Sequence, residues 1–210
     1  MSDVHAVEAH PVEAVVFDVG RVIIPWDLKA LFGKLIADPQ QLDWFVKTVV
    51  TEEWHYQVDT GRDLDEMVAE RQRMFPEQAD LIDAYATRFL ETIPGAIPGT
   101  SALIERLAQR DVPLYAITNF GTRFWAQFRP TMPVLARFRE VVVSGDEKIA
   151  KPDARIFDLA AKRFGHAPQA MLFIDDNKAN IASAAALGWQ VHHFVDAGAL
   201  ERDLSERGLI

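Results

Sequence analysis

The Val-rich run Ala14-Val15-Val16-Phe17 ends abruptly in a carboxylate, Asp18, and Gly20 follows two residues later. A short apolar run of this kind reads as a strand buried on both faces, which points to the interior of a parallel sheet. In open α/β sheets ligands gather outside the carboxyl ends of the strands, so Asp18 stands where chemistry is done. Gly20 gives the backbone freedom to turn back after the strand. Apolar strands also end in Asp without any catalytic purpose, so the rest of the chain has to decide.

The texture changes at Pro25-Trp26-Asp27. From Leu28 to about Ile93 apolar residues recur at helical spacing, as in Leu31, Leu35 and Ile36 or Leu81, Ile82, Tyr85 and Phe89. Breaks at Asp38-Pro39, Thr60-Gly61 and Phe75-Pro76 predict about four helices. From Thr100 onward helices alternate with apolar strands expected at Val112 to Ile117, Val141 to Val143, Ala170 to Ile174 and Gln190 to Phe194. Gly165 and Gly188 are the expected helix stops. Alternation of this kind predicts an α/β fold with a doubly wound parallel sheet covered on both faces. The expected division is a core of residues 1–25 and 95–210 with a helical cap, residues 26–94, inserted after the first strand.

Composition narrows the partners. The chain has 210 residues, with 22 basic against 31 acidic ones and a formal charge of -9. That balance argues against nucleic acid, whose phosphate backbone needs a basic face. No cysteine is present, so disulfides and thiolate chemistry are excluded. No apolar run approaches the roughly 18 to 20 residues needed to span a bilayer. Met1 to Glu13 is polar and lacks an apolar signal core, so it reads as a loose leader. A soluble cytoplasmic protein, monomer or homodimer, with no membrane partner is the expectation.

Polar groups follow four of the expected elements: Asp18, Thr118-Asn119, Lys151 and Asp175-Asp176. Right-handed crossovers bring all strand C-termini of a parallel sheet to one edge, so these distant residues can converge. Three carboxylates together repel one another unless a cation is present. A hard cation with oxygen ligands, Mg²⁺ above all, answers that repulsion and accepts a phosphate oxygen as a further ligand. Lys151 and the Thr118 hydroxyl would face the remaining anionic oxygens. Taken singly, the Asp-Asp pair also suits a helix cap, and Thr-Asn a turn.

In this order the residues resemble the haloacid dehalogenase superfamily, in its subclass with an early helical cap. Phe17-Asp18-Val19-Gly20 is similar to the first motif of that superfamily and Ile117-Thr118-Asn119 to the second. Lys151-Pro152-Asp153-Ala154-Arg155-Ile156-Phe157 resembles the third, and Phe173-Ile174-Asp175-Asp176-Asn177-Lys178-Ala179-Asn180-Ile181, followed by Ala184 and Leu187-Gly188, the fourth. The resemblance implies that Asp18 is a nucleophile and, with the Gly20 carbonyl, Asp175 and Asp176, a Mg²⁺ ligand. It implies that Thr118, Asn119 and Lys151 bind the phosphoryl group, with Lys151 neutralising the nucleophile as well. A Mg²⁺-dependent phosphatase of a small phosphorylated metabolite follows, acting through an aspartyl-phosphate.

One departure stands out. The common pattern is Asp-x-Asp, whose second carboxylate protonates the leaving oxygen, and here that position is Gly20. A general acid is typically worth about 10²- to 10⁴-fold. The bacterial glucose-1-phosphate phosphatases also resemble this Asp-x-Gly form, with an acid at the position of Asp27 and aromatics like Phe124-Trp125. A sugar phosphate with a good leaving group would need less acid, and Asp27 is the candidate substitute, or else a helix cap. The alternatives are a 2-haloacid dehalogenase, which uses the same nucleophile on carbon, and a non-enzymatic ligand-binding relative. Trp54-His55-Tyr56 lines a pocket or forms cap core; Arg21, Arg123 and Arg129 are candidate anion contacts; His192-His193 reads as structural.

Overall fold

The computed structural model describes residues 10–210. Five parallel strands, β1 (Ala14–Phe17), β2 (Leu114–Thr118), β3 (Glu140–Val143), β4 (Met171–Asp175) and β5 (Gln190–His193), form one sheet in the order β3-β2-β1-β4-β5. The chain runs outward from β1 to β3 and then crosses to β4 on the other side. That reversal of direction opens a crevice at the carboxyl ends of β1 and β4, where doubly wound sheets bind ligands. Asp18 and Asp175 stand at that crevice.

β1 explains its own sequence. Val15 and Phe17 face one apolar layer while Ala14 and Val16 face the other, and all four are fully buried. A strand covered on both sides has no polar position to alternate with, so the run is continuous.

Between β1 and Ile93 lie five α-helices, where about four were expected: α1 (Leu28–Phe32), α2 (Pro39–Thr48), α3 (Glu52–Asp59), α4 (Leu64–Met74) and α5 (Ala79–Thr87). The first four begin on a side-chain cap, from Asp27, Asp38, Thr51 and Asp63 in turn. The remaining helices are α6 (Thr100–Gln109), α7 (Thr122–Phe128), α8 (Ser144–Glu147), α9 (Ala154–Phe164), α10 (Lys178–Ala186) and α11 (Ala197–Glu206). Buried residues of α6 and α11 pack with Val15 and Phe17, and those of α9 and α10 with the opposite face of the sheet. Gly165 and Gly188 end their helices at positive φ, 74° and 85°.

Of the leader read in residues 1–13, the first nine lie outside the described residues. The rest is tied to the sheet: Glu13 N–H donates to the Ala170 carbonyl at 2.8 Å, and Gln190 Nε2 donates to that of His10 at 2.9 Å. Among the described residues no helix is long and apolar enough to cross a membrane.

Candidate active site

The ends of β1 and β4 deliver the carboxylates, and the loop between α8 and α9 delivers Lys151. Asp18 N–H donates to the Ile174 carbonyl at 2.8 Å, which sets the residue abreast of the end of β4. Its Oδ1 accepts from Val19 N–H at 2.6 Å and lies 2.9 Å from Lys151 Nζ. The same ammonium, 1% exposed, reaches Asp175 Oδ2 at 2.7 Å. Carboxylate oxygens of Asp18, Asp175 and Asp176 all come within 4.8 Å of one another. Two of the three carboxylates therefore pair with one buried ammonium, and the third stands close by.

The electrostatics follow from that crowding. Burial pushes the Asp18 carboxyl up to about 8; Lys151 opposes the rise and Asp175 adds to it. Asp176 is also raised, by burial and then by Asp175, against Arg21 and Lys151. Burial alone would lower Lys151, yet Asp175 and Asp18 hold it above the ordinary lysine value. A hard divalent cation would draw both raised carboxyls back to their ionised form. The oxygen donors fit such an ion, and they are not equivalent. Asp175 is spent on the protein: Oδ1 accepts from Asn177 N–H (2.7 Å) and Asn180 Nδ2 (3.1 Å), Oδ2 from Lys151 and Asn180 (3.0 Å). The half-buried Asp176 carboxylate accepts no hydrogen bond from another described residue. The cap of α10 is Asn177, whose Oδ1 accepts from Ala179 N–H at 2.8 Å, so the Asp pair is free of that duty.

The second expected cluster divides. Thr118 is fully buried at the end of β2, and its Oγ1 has no partner among the described residues. The Asn119 side chain is taken by the Lys151 backbone: Nδ2 donates to the Lys151 carbonyl and Oδ1 accepts from its N–H, both at 2.9 Å. Asn119 borders the cleft but acts first by holding Lys151 in place.

Gly20 and Asp27 depart from expectation. The left-handed residue of the turn after β1 is Arg21, φ 58°, and Gly20 keeps an ordinary φ. A side chain at position 20 would enter open space, with nothing within 4 Å of its Cβ. Neither backbone conformation nor crowding demands glycine there. Asp27 is exposed, caps α1 by accepting from Lys29 N–H at 2.8 Å, and lies outside the lining of the cleft. A carboxylate facing solvent and committed to a helix end cannot deliver a proton to the strand edge.

The cleft itself encloses about 150 Å³ between the sheet edge and the helices that follow β1. Asp18, Lys151 and Asp176 line one side, and Trp26, His55, Asp59 and Phe89 the other. His55 is clamped: its ring stacks on Trp26 (4.6 Å between centroids) and on Phe89 (5.5 Å), while Nδ1 pairs with the Tyr85 hydroxyl at 2.6 Å. Trp54 is core, packed on Tyr85, and Tyr56 is exposed with its hydroxyl donating to the Lys151 carbonyl at 3.3 Å. Ser144 fastens α3 to the core, donating to the Asp59 carbonyl at 2.6 Å and accepting from Phe120 N–H at 3.0 Å. Arg21 sits at the cleft paired with Glu52, Arg123 pairs with Asp65, and Arg129 lies outside the cleft. His192 pairs with Asp203 and His193 with the Asp176 carbonyl. Sequence reasoning missed Asp59 and Ser144, took Asn180 only as part of the fourth motif without a role, and took Trp26 only as a break. One signal was present for Asp59: it follows His55 by four residues, hence on the same helical face.

A family model described as haloacid dehalogenase-like hydrolase matches residues 12–188. The phosphoglycolate phosphatase of Escherichia coli (strain K12) is 32% identical over 109 residues, which take in 51% of this chain and 43% of that relative. The matched stretch thus spans less than half of the relative's length. Among solved structures, a HAD-like family hydrolase from Porphyromonas gingivalis superposes with a TM-score of 0.71 at 21% identity, covering 92% of this chain and 98% of that one. A HAD family enzyme from Bacteroides thetaiotaomicron, in complex with magnesium and inorganic phosphate, gives 0.68 at 19% identity over 88% and 95%. At such identities the likeness is one of fold.

Proposed function

The chain belongs to the haloacid dehalogenase-like hydrolases, and from that premise we propose that it is a Mg²⁺-dependent phosphatase of a small phosphorylated metabolite. The observation that carries this reading is Asp18 at the end of the central strand, 2.9 Å from a buried lysine and in reach of two further carboxylates. Mg²⁺ would be held by Asp18, Asp176 and the Gly20 carbonyl, with Asp175 behind them, and when bound it neutralises charge on nucleophile and phosphoryl oxygens. The magnesium and phosphate held by the Bacteroides enzyme support that choice of ion.

The chain's own residues do the rest. An Asp18 oxygen attacks phosphorus, the bond to the leaving oxygen breaks, and water then hydrolyses the aspartyl-phosphate to free Asp18 and inorganic phosphate. Lys151 balances the carboxylate before attack and the phosphoryl oxygens after it. Thr118 Oγ1, buried without a partner, donates to a phosphoryl oxygen. In this reading residues 26–94 act as a cap that closes a cytoplasmic core enzyme over its substrate. Gly20 favours substrates whose leaving oxygen departs with little help, as an anomeric sugar phosphate does. The dehalogenase alternative is disfavoured by Asp176, which would repel an anionic haloacid.

The test is release of inorganic phosphate from a panel of phosphorylated metabolites, with Mg²⁺ and with chelator. Release is expected with Mg²⁺ alone and should fall to background in Asp18→Asn. Turnover that survives this substitution, with deamidation excluded, would overturn covalent catalysis at Asp18.

A further inference from the structure

Two polar atoms on the cap side of the cleft have no partner among the described residues: Asp59 Oδ1, an acceptor, and Trp26 Nε1, a donor. Both are buried, and both residues line the cleft that Asp18 faces from the core. They flank one imidazole. The Trp26 ring stacks on His55, and the other oxygen of Asp59 lies 3.3 Å from His55 Nε2. With His55 held by Tyr85 and Phe89, and the Asp59 carbonyl held by Ser144, neither group is placed by chance rotation of a surface side chain. Buried polar atoms are paired in all but a few cases, and each one left alone costs about 1 to 3 kcal/mol. Two of opposite polarity, in residues that both hold one imidazole and line a binding cleft, mark a place where the ligand completes the bonding.

The geometry points to hydroxyl groups on the substrate's leaving portion, donating to Asp59 Oδ1 and accepting from Trp26 Nε1. This inference rests on the phosphatase reading and narrows it. Hydroxyls donate as well as accept, so the substrate class is a phosphorylated polyol or sugar with an uncharged tail. A phosphorylated carboxylic acid fits badly: its carboxylate would face Asp59 with Asp176 across the cleft. Arg21, the cation on that side, is already engaged by Glu52 at 2.6 Å. The phosphoglycolate named for the curated relatives is such an acid. Asp59 and Trp26 are specificity-determining residues in this view, and they touch the tail rather than the phosphorus.

The probes are glycerol 3-phosphate, n-propyl phosphate, which lacks its hydroxyls, and phosphoglycolate. Asp59→Asn removes the charge with little change of shape, and Trp26→Phe removes the N–H while keeping the stack on His55. A site built to bond a hydroxyl rejects analogues without it strongly, because its own groups stay unpaired. The unmodified protein should favour glycerol 3-phosphate over propyl phosphate by tenfold or more in kcat/KM. Each substitution should lower that preference at least fivefold through KM and leave propyl phosphate within about twofold. Phosphoglycolate should gain relative to glycerol 3-phosphate in Asp59→Asn. Equal losses on both alkyl phosphates would mean a merely structural role, and the absence of any preference in the unmodified protein would overturn the inference with the phosphatase reading intact. Calorimetric titration of both alkyl phosphates into Asp18→Asn reads the same preference without turnover. Preferential binding there, with no phosphate released by the unmodified protein from any member of the metabolite panel, anomeric sugar phosphates included, would sink the phosphatase reading and leave the hydroxyl site standing. Equal binding of the two would remove the site as well.

Discussion

Asp18→Asn is expected to abolish turnover and yet raise the stability of the metal-free protein. With an effective dielectric constant of about 20, the attraction between Asp18 and Lys151 at 2.9 Å comes to ~6 kcal/mol. The oxygens of Asp175 and Asp176 lie within 4.8 Å, so each repels Asp18 by ~3.5 kcal/mol or more, ~7 together. Attraction and repulsion nearly cancel, and water trims the share of half-buried Asp176. What decides the sign is removal of a buried ion from water, which costs several kcal/mol against about 1 to 3 for a neutral amide. The lysine–amide contact recovers only part of the lost ion pair, so we expect a net gain of about 1 to 2 kcal/mol, or roughly 3 to 6 °C in Tm. The gain should grow with pH. A carboxyl held at about 8 in the folded chain and 3.8 as its ordinary value releases its proton first in the unfolded state. Stability of the unmodified protein therefore falls as pH rises between those values, while asparagine does not titrate. Thermal melts in chelator at pH 5 and pH 8 measure the effect, and Mg²⁺ should stabilise the unmodified protein more than the variant. An Asp18→Asn chain that melts below the unmodified one at pH 8 in chelator would refute the view that the cluster carries excess negative charge.

Three further outcomes are expected. Asp176→Asn should weaken Mg²⁺ binding in calorimetric titration far more than Asp175→Asn, whereas Asp175→Asn should cost more stability because Lys151, Asn177 and Asn180 all bond that carboxylate; a reversed order would exchange their roles. With Mg²⁺ present, Gly20→Asp should fold with Tm within about 2 °C of the unmodified protein, since its Cβ meets nothing within 4 Å and its φ is ordinary, and in chelator it should melt lower because a fourth carboxylate joins the cluster; it should also flatten the dependence of rate on leaving-group pKa, and an unchanged slope would show that a proton donor is already in place. Ser144→Ala should lower stability by about 2 kcal/mol in denaturant melts, because it strands the Asp59 carbonyl and the Phe120 N–H together; a loss under about 0.5 kcal/mol would mean that α3 is held by packing alone.

The legible part of the molecule was the part written in strands. β1 and β4 lie inside a parallel sheet, so burial on both faces forces continuous apolar runs, and the first polar residue after each run is conspicuous. Asp18 and Asp175 were visible for that reason, as was Lys151 before a proline. Finer assignments depended on competition that local pattern does not decide. Asp175, Asp176 and Asn177 can each cap a helix, and Asn177 does so because Lys151 and Asn180 hold Asp175. The left-handed position after β1 went to Arg21 although glycine stands beside it, with Arg21 N–H donating to the Ile24 carbonyl at 2.6 Å. Asp27 offered a carboxylate near the site in sequence, but the start of α1 claimed it.

The helices that follow β1 were opaque for a different reason. Helical periodicity reveals that Trp54 and Val58 share one face of α3 and His55 and Asp59 another, but not which face meets the strand ends. That choice is tertiary: Ser144 clasps the last carbonyl of α3, and Val58 seats against Gly121, where a Cβ would stand 2.9 Å from it. Only with this seating do His55 and Asp59 turn into the cleft. In the proposed reading the carboxylates for the reaction come from strand ends, whose position follows from the sheet. In the same reading selection of the substrate falls to Asp59 on a helix face, whose aim follows from packing, and to Trp26 beside it in the cleft lining. A chain read residue by residue thus yields the reaction class before the substrate. The first substitutions that should alter preference without altering phosphorus chemistry are those at Asp59 and Trp26, not those at Asp18 or Lys151.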